Sequence, residues 1–251
     1  MDKIRINLYD LLTCISDAQD LISSNISKHH QQVAYLAFRL SEHINLSIEQ
    51  QHNIFLAALI HDIGALTNKE KLELIETESM DVNNHAFRGA KLLEEFKPLQ
   101  ISAGIIKFHH IPWNNGKGST YKKEDVPIES HIIHLADRTC ALIRPDCNII
   151  TQLPDILSTI SEQVDSLFRS DLVDALLDIS IEEYIWLDLI SPTPAKKISS
   201  TGIFKDLILK IDDIVDLALV FSRIIDFRSH FTSRHSAGVA KTAERLSLIH
   251  I

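Results

Sequence analysis

The chain predicts an all-α fold: a helical bundle with a helical extension at its C-terminal end. Three observations carry that expectation. Across 251 residues there are only seven glycines and seven prolines, so the residues that punctuate hairpins and tight turns are scarce. Hydrophobic residues make up 45% of the chain and recur at three- and four-residue spacing over long stretches. The length suffices for one large domain with an appendage, so a sizeable core can be buried.

The elements follow in order. Leu8, Leu11, Leu12, Ile15, Leu21 and Ile22 fall mostly on one face and predict an amphipathic helix, ended or bent at Ser23-Ser24-Asn25. A second helix begins near His29-His30 and carries Val33, Leu36, Ala37, Leu40 and Ile44. Ser47-Ile48-Glu49-Gln50 matches a capping box, in which serine and glutamine each satisfy the other's backbone amide; it opens a helix to His61. Gly64 lets the chain turn, and Thr67-Asn68-Lys69-Glu70 offers a second capping box for a helix to about Thr77. Asn83 or Asn84 caps a helix through Leu93 that holds His85 in its first turn. Ile101 to Phe108 predicts a helix that delivers His109-His110 into a loop of Pro112, Trp113, Asn114, Asn115, Gly116 and Gly118. A helix from Glu129 to Ile143 carries Asp137, and residues 155–190 continue as apolar, acidic helical segments. Ser191-Pro192-Thr193-Pro194 through Gly202 reads as a linker, after which residues 203–226 resume as an amphipathic helix.

Charge and composition exclude several classes. A formal net charge of -9 argues against a chain that grips a nucleic acid polymer by its phosphates. Cys14, Cys140 and Cys147 form no CxxC pair and cannot all be bridged within one chain, which fits a reduced, cytoplasmic compartment. No apolar run approaches the ~18 residues of a membrane span, so no membrane association is expected.

The chemistry centres on Ile60-His61-Asp62-Ile63-Gly64, where an imidazole and a carboxylate sit at the end of an apolar run. Alone, such a dipeptide reads equally as an ion pair or a cap. Collected along the chain, however, His29, His61, Asp62, His85, His109, His110 and Asp137 all lie at or near a helix end or face, which is how helical bundles build metal sites. Five imidazoles and two carboxylates can hold two transition ions if one carboxylate bridges them. That donor set selects iron, manganese, zinc or nickel over calcium. Two such ions about 3.5 to 4 Å apart hold a hydroxide at neutral pH and clamp phosphate oxygens, so an acidic protein can hydrolyse a phosphoester.

In this order, His29-x3-Val33-Ala34, Ile60-His61-Asp62-Ile63-Gly64, His85-x3-Gly89, His109-His110 and Ala136-Asp137 resemble the HD superfamily and, through the paired histidines, its HD-GYP branch. The resemblance covers roughly residues 5 to 190. It implies an HD-type bundle with two divalent transition ions, iron or manganese favoured, hydrolysing a cyclic dinucleotide, cyclic di-GMP first, or another nucleotide phosphate. Carried over, one ion takes His29, His61, Asp62 and Asp137, and the other takes Asp62, His85, His109 and His110, with Asp62 the bridging, catalytic carboxylate.

Three positions depart from the branch. Its lysine after Asp-Ile-Gly is here Ala65, with Lys69 the nearest replacement for a phosphate contact. The Gly-Tyr-Pro loop is here Gly116-Lys117-Gly118-Ser119-Thr120. Asn25 stands where trinuclear members have glutamate, so two ions are expected rather than three. Arg144-Pro145 resembles the family's Arg-Pro, two residues early, and makes Arg144 a candidate substrate contact. Trp113 either stacks on a guanine or packs on its own loop. His30, His43, His52, His131 and His134 lack a partner pattern and read as surface or satisfied core residues; His30 competes for the first-ligand role, which the spacing to Val33-Ala34 gives to His29.

Near the C-terminus, His29, Val33, Ala34, Ala37, Arg39 and Leu40 recur as His235, Val239, Ala240, Ala243, Arg245 and Leu246. The tail thus resembles the start of a second HD-like module. The expected organisation is residues 1–190 as the HD-GYP-like domain, 191–202 as linker, and 203–251 as a connecting helix and truncated second module. Such a half-bundle exposes an apolar face, and a homodimer through the C-terminal helices is expected. A signalling or dimerisation module that has lost turnover is the alternative to the enzyme.

Overall fold

The computed structural model describes residues 4–5, 7–20, 28–65, 83–199, 208–209, 211–228 and 235–249. Twelve α-helices are found among them: α1 (Leu8–Asp20), α2 (His29–His43), α3 (Ile48–Leu59), α4 (Asn83–Leu93), α5 (Gln100–Lys107), α6 (Ile128–Ala141), α7 (Ile149–Ser161), α8 (Ser170–Ser180), α9 (Glu183–Leu189), α10 (Pro194–Ser199), α11 (Ile211–Arg228) and α12 (His235–Ile249). The fold is all-α, as the periodicity requires; the four strands are two-residue pieces. β1 (Ile4–Arg5) pairs antiparallel with β4 (Ile208–Leu209), and β2 (Thr120–Tyr121) with β3 (Glu124–Asp125).

Helix α2 is the axis of the bundle. Val33, Ala34, Tyr35, Leu36, Ala37, Phe38 and Leu40 are all buried, so it is apolar nearly all round and packs against α1, α3, α6, α8, α9 and α10. Helix α3 starts as expected: the Ser47 hydroxyl accepts from the Gln50 amide at 3.3 Å while the Gln50 side chain accepts from the Ser47 amide at 3.3 Å. It ends at Leu59, and His61 to Gly64 form a separate turn closed by Ile63 N–H to Ile60 O (3.0 Å) and Ala65 N–H to Asp62 O (2.8 Å).

Part of the stretch expected as a linker is helical. Residues 194–199 form α10, with Pro194 at its first position, where the missing amide costs nothing. Ala195 and Ile198 are fully buried and α10 packs on α2, so this part of the expected linker belongs to the core. Leu217 and Val220 of α11 also join that core, and α11 packs on α4. On its other side Val215 and Leu219 are exposed, as are Val239 and Leu246 of α12. No helix among the described residues is long and apolar enough to cross a membrane. The helix expected to end near Thr77, with Lys69, and the segment containing Asn25 lie outside the described residues.

Candidate metal centre

Five elements converge on one buried polar cluster. The start of α2 brings His29, the turn after α3 brings His61 and Asp62, and the first turn of α4 brings His85. The end of α5 brings His109 and His110, and α6 brings Asp137. These residues are separated by up to 108 positions in the chain, yet none is more than 8% exposed.

The same local device is used twice. A helix C-terminus leaves carbonyls without intrahelical partners. After α3, His61 Nδ1 donates to Ala58 O at 2.8 Å; after α5, His109 Nδ1 donates to Ile106 O at 2.7 Å. A carbonyl can only accept, so each Nδ1 carries a proton, and in the neutral ring each Nε2 has its lone pair facing the cluster. Gly64 then brings α4 close: a Cβ there would stand 2.0 Å from His85 O. That approach, rather than a turn requiring left-handed backbone, is what glycine serves at this position.

Asp62 and Asp137 occupy the spaces between imidazoles. Asp62 Oδ1 lies 3.0 Å from His85 Nε2 and 3.8 Å from His109 Nε2, while Oδ2 lies 3.4 Å from His61 Nε2. Asp137 Oδ1 lies 2.9 Å from His29 Nε2 and 3.6 Å from His61 Nε2. His85 Nε2 and His109 Nε2 are 3.3 Å apart. Around an ion with bonds of about 2.1 Å, donors of a common sphere stand roughly 3.0 Å apart if adjacent and 4.2 Å if opposite. Every separation falls between or close to these limits. Donor atoms of Asp62, His85, His109 and His110 lie mutually within 4.8 Å, as do those of His29, His61 and Asp137.

The electrostatics ask for positive charge. Burial opposes charge on His61, but Asp62 and Asp137 overcome it and push the imidazole up to about 9. Burial likewise opposes ionisation of Asp62 and Asp137; His61 and His85 beside the first, and Arg138 and His29 beside the second, hold both carboxyls well below the usual range. Burial together with His110, His85 and His61 drives His109 well down. A neutral His61 would aim its lone pair at two carboxylates. Cations resolve that conflict, and the donors present fit transition ions.

A sequence profile of the HD domain matches residues 26–142, the stretch that holds all seven predicted ligands. The chain carries an HD domain. It is 27% identical to a 3′3′-cGAMP-specific phosphodiesterase of Vibrio cholerae, covering 96% of this chain and 58% of that protein. It is 25% identical to a cyclic di-GMP phosphodiesterase of Thermotoga maritima, covering 69% of this chain and 49% of that one. The chain therefore spans about half the length of these relatives. In fold it matches the crystal structure of a cyclic GMP-AMP specific phosphodiesterase of V. cholerae with a TM-score of 0.71, at 17% identity, over 93% of this chain and 63% of that one.

Around the HD cluster the other sequence candidates separate. Arg144 is exposed beyond the end of α6, its amide donating to Gln152 Oε1 at 2.9 Å and its carbonyl accepting from Gln152 Nε2 at 3.1 Å. It borders a surface pocket of about 220 Å³ with Leu142, Gln152, Asp155, Ile156 and Thr159, none of them a donor of the cluster. Arg144 is thus not brought to the cluster; its two-residue displacement in sequence puts it past the last turn of the helix. Trp113 packs against side chains outside its own loop. The Arg169 guanidinium sits 4.9 Å over its ring, His131 meets it at a ring distance of 5.4 Å, and its amide donates to Leu167 O. Asn114, Asn115 and Gly116 of that loop all have positive φ, and a Cβ on Gly118 would meet Pro112 O at 1.9 Å.

Of two further residues next to the HD cluster, one escaped the sequence reading and the other was read only as a competitor of His29. Arg138 holds Asp137 Oδ2 through Nε at 3.1 Å and Nη2 at 3.0 Å, turning Oδ1 towards His29 and His61. His30 is 1% exposed and its Nε2 is 3.9 Å from Asp62 Oδ2. Its doublet with His29 was the available signal. His131 and His134 are also buried, and His134 contacts His110 at a ring distance of 5.6 Å. His43 pairs with Asp178 at the surface, as expected.

Proposed function

We propose that this chain is a metal-dependent phosphodiesterase that hydrolyses a cyclic dinucleotide, using two divalent transition ions, with iron or manganese ahead of zinc or nickel. The observation that carries the reading is the placement of Asp62. One of its oxygens faces the His61 side of the cluster and the other faces His85 and His109, which is the arrangement a bridging carboxylate requires. Bound there, the ions would supply an acidified water and the charge to neutralise phosphate oxygens.

The chain's own groups do the rest. His61 and His109 are locked in one tautomer by backbone carbonyls, and Asp137 is aimed by Arg138. Ala65 is fully buried and offers no charge where the branch has lysine. Cyclic di-GMP, implied by the sequence resemblance, is joined by 3′3′-cyclic GMP-AMP, because the relative matched over 96% of the chain carries that specificity in its name.

The test is hydrolysis of both cyclic dinucleotides by the anaerobically purified, metal-loaded protein, followed chromatographically, with Asp62→Ala as control. Turnover by the parent and its loss in the variant are expected. Metal bound by the parent with no turnover of either compound would instead establish the inactive signalling module that Ala65 favours.

A further inference from the structure

Helix α6 brings more than Asp137 to the cluster. His131, His134 and Asp137 stand three positions apart, so each lies about one turn from the next, and all three are buried, at 4%, 1% and 2% exposure. Their neighbours differ. Asp137 reaches His29 and His61, at one end of the cluster. His134 reaches the other end: its ring meets the His110 ring edge to face, at 5.6 Å and 77°, and the Phe168 ring at 5.3 Å. His131 is turned to Trp113.

Three imidazoles stand against His110, with ring centres at 4.1 Å for His109, 4.9 Å for His85 and 5.6 Å for His134. His85 and His109 join His110 and Asp62 in a set of donor atoms mutually within 4.8 Å, whereas His134 belongs to no such set among the described residues. His134 therefore touches a candidate ligand from outside the donor set. That is the place of an outer partner, which fixes the tautomer and ring orientation of a metal-bound histidine through its second nitrogen. His61 and His109 have such a partner in a backbone carbonyl, Ala58 O and Ile106 O. Against His110, α6 sets an imidazole. A leucine or phenylalanine would fill that space without the cost of desolvating ring nitrogens, so packing alone does not call for histidine.

We propose that His134 is a positioning residue for His110: it sets the orientation of that ring, and through it the affinity for the ion at the His85 end, as the Ala58 and Ile106 carbonyls do for His61 and His109. A neutral imidazole accepts at one nitrogen and donates at the other, so the role needs a nitrogen and not merely a ring. Helix α6 then serves both ends of the centre from one surface, supplying Asp137 as a ligand to one and, one turn earlier, His134 as the support of the other.

The inference rests on the two-ion reading, and the experiment separates the two. Metal-stripped protein is titrated with Mn²⁺ and read by electron paramagnetic resonance, for the parent, His134→Phe, His134→Leu and His134→Gln, with the melting temperature of each metal-free protein recorded. The parent is expected to bind two ions. His134→Phe keeps a ring against His110 and Phe168 but no nitrogen; it is expected to keep one ion unchanged and to weaken the other about 10- to 100-fold. His134→Leu carries the same expectation and decides the matter if the phenylalanine variant does not fold. His134→Gln restores a polar group and is expected to recover part of the loss. Two ions bound with parental affinity in His134→Phe would overturn the assignment, whatever happens to the melting temperature, because that is the signature of a packing role. Equal weakening of both ions would overturn it too. A parent that binds no Mn²⁺, Fe²⁺ or Zn²⁺ would overturn the two-ion reading, and the assignment with it.

Discussion

The backbone of Gly64 lies directly against that of Gly89: a Cβ on Gly64 would stand 2.4 Å from the Gly89 amide nitrogen and 2.0 Å from the His85 carbonyl oxygen. Neither obstacle is a flexible side chain that could swing away. The turn carrying His61 and Asp62 and the helix carrying His85 are therefore held at a distance that only glycine permits. That distance is what leaves His85 Nε2 3.0 Å from Asp62 Oδ1.

Gly64→Ala is expected to destabilise the fold by about 1–3 kcal/mol, the range of an overpacked site, and to move His85 away from Asp62. Metal content of the purified variant should fall at the His85 end. Urea unfolding together with elemental analysis checks this, and a variant with full metal content and parental stability would refute the close-approach argument.

Arg138 is a positioning residue for Asp137. With both its Nε and Nη2 on Oδ2, it fixes the carboxylate rotamer and lowers its proton affinity. Arg138→Ala is expected to weaken metal binding about 10- to 100-fold, with kcat/KM falling at least in parallel. Arg138→Lys keeps the charge but not the fork, and should lie between. Unchanged Mn²⁺ affinity in Arg138→Ala would contradict the role.

His131 makes folding sensitive to acid. It is 4% exposed, and burial, then His134 and Arg169, lower its pKa to about 4, while Asp171 and a backbone bond to Gly118 act weakly the other way. In the unfolded chain it titrates near 6.5. The folded state thus holds it neutral, so stability is full above about pH 6.5, falls as the unfolded chain takes up protons, and levels off near pH 4. Between pH 7 and pH 5, the metal-free parent should lose about 2 kcal/mol more than His131→Asn in urea unfolding. Equal losses would show that His131 is not buried in the neutral form.

The seven candidate ligands were legible because each is a local exception: an imidazole or carboxylate where a helix of this apolarity should end in something neutral, repeated in a recognisable order. The Ser47–Gln50 capping box was legible for a similar reason, since both partners lie within one turn. His30 was not. Periodicity assigns adjacent residues to different faces, and only the left-handed start of α2 packed against the turn after α3 brings both rings inward. Residues 194–199 carried the composition of a linker, and their burial depends on a surface of α2 that local sequence does not describe.

By itself, then, the sequence determined the all-α class and the candidate metal donors, because helix periodicity and donor chemistry are properties of short stretches. Tertiary structure decided which donors share a sphere, which arginine stands beside them and how closely helices approach. Asp137 meets His29 across 108 positions, and Arg144 misses the cluster although it is only seven positions from Asp137. Such relationships come from where helices cross, and the closeness of a crossing is set by the backbone contact that Gly64 and Gly89 allow.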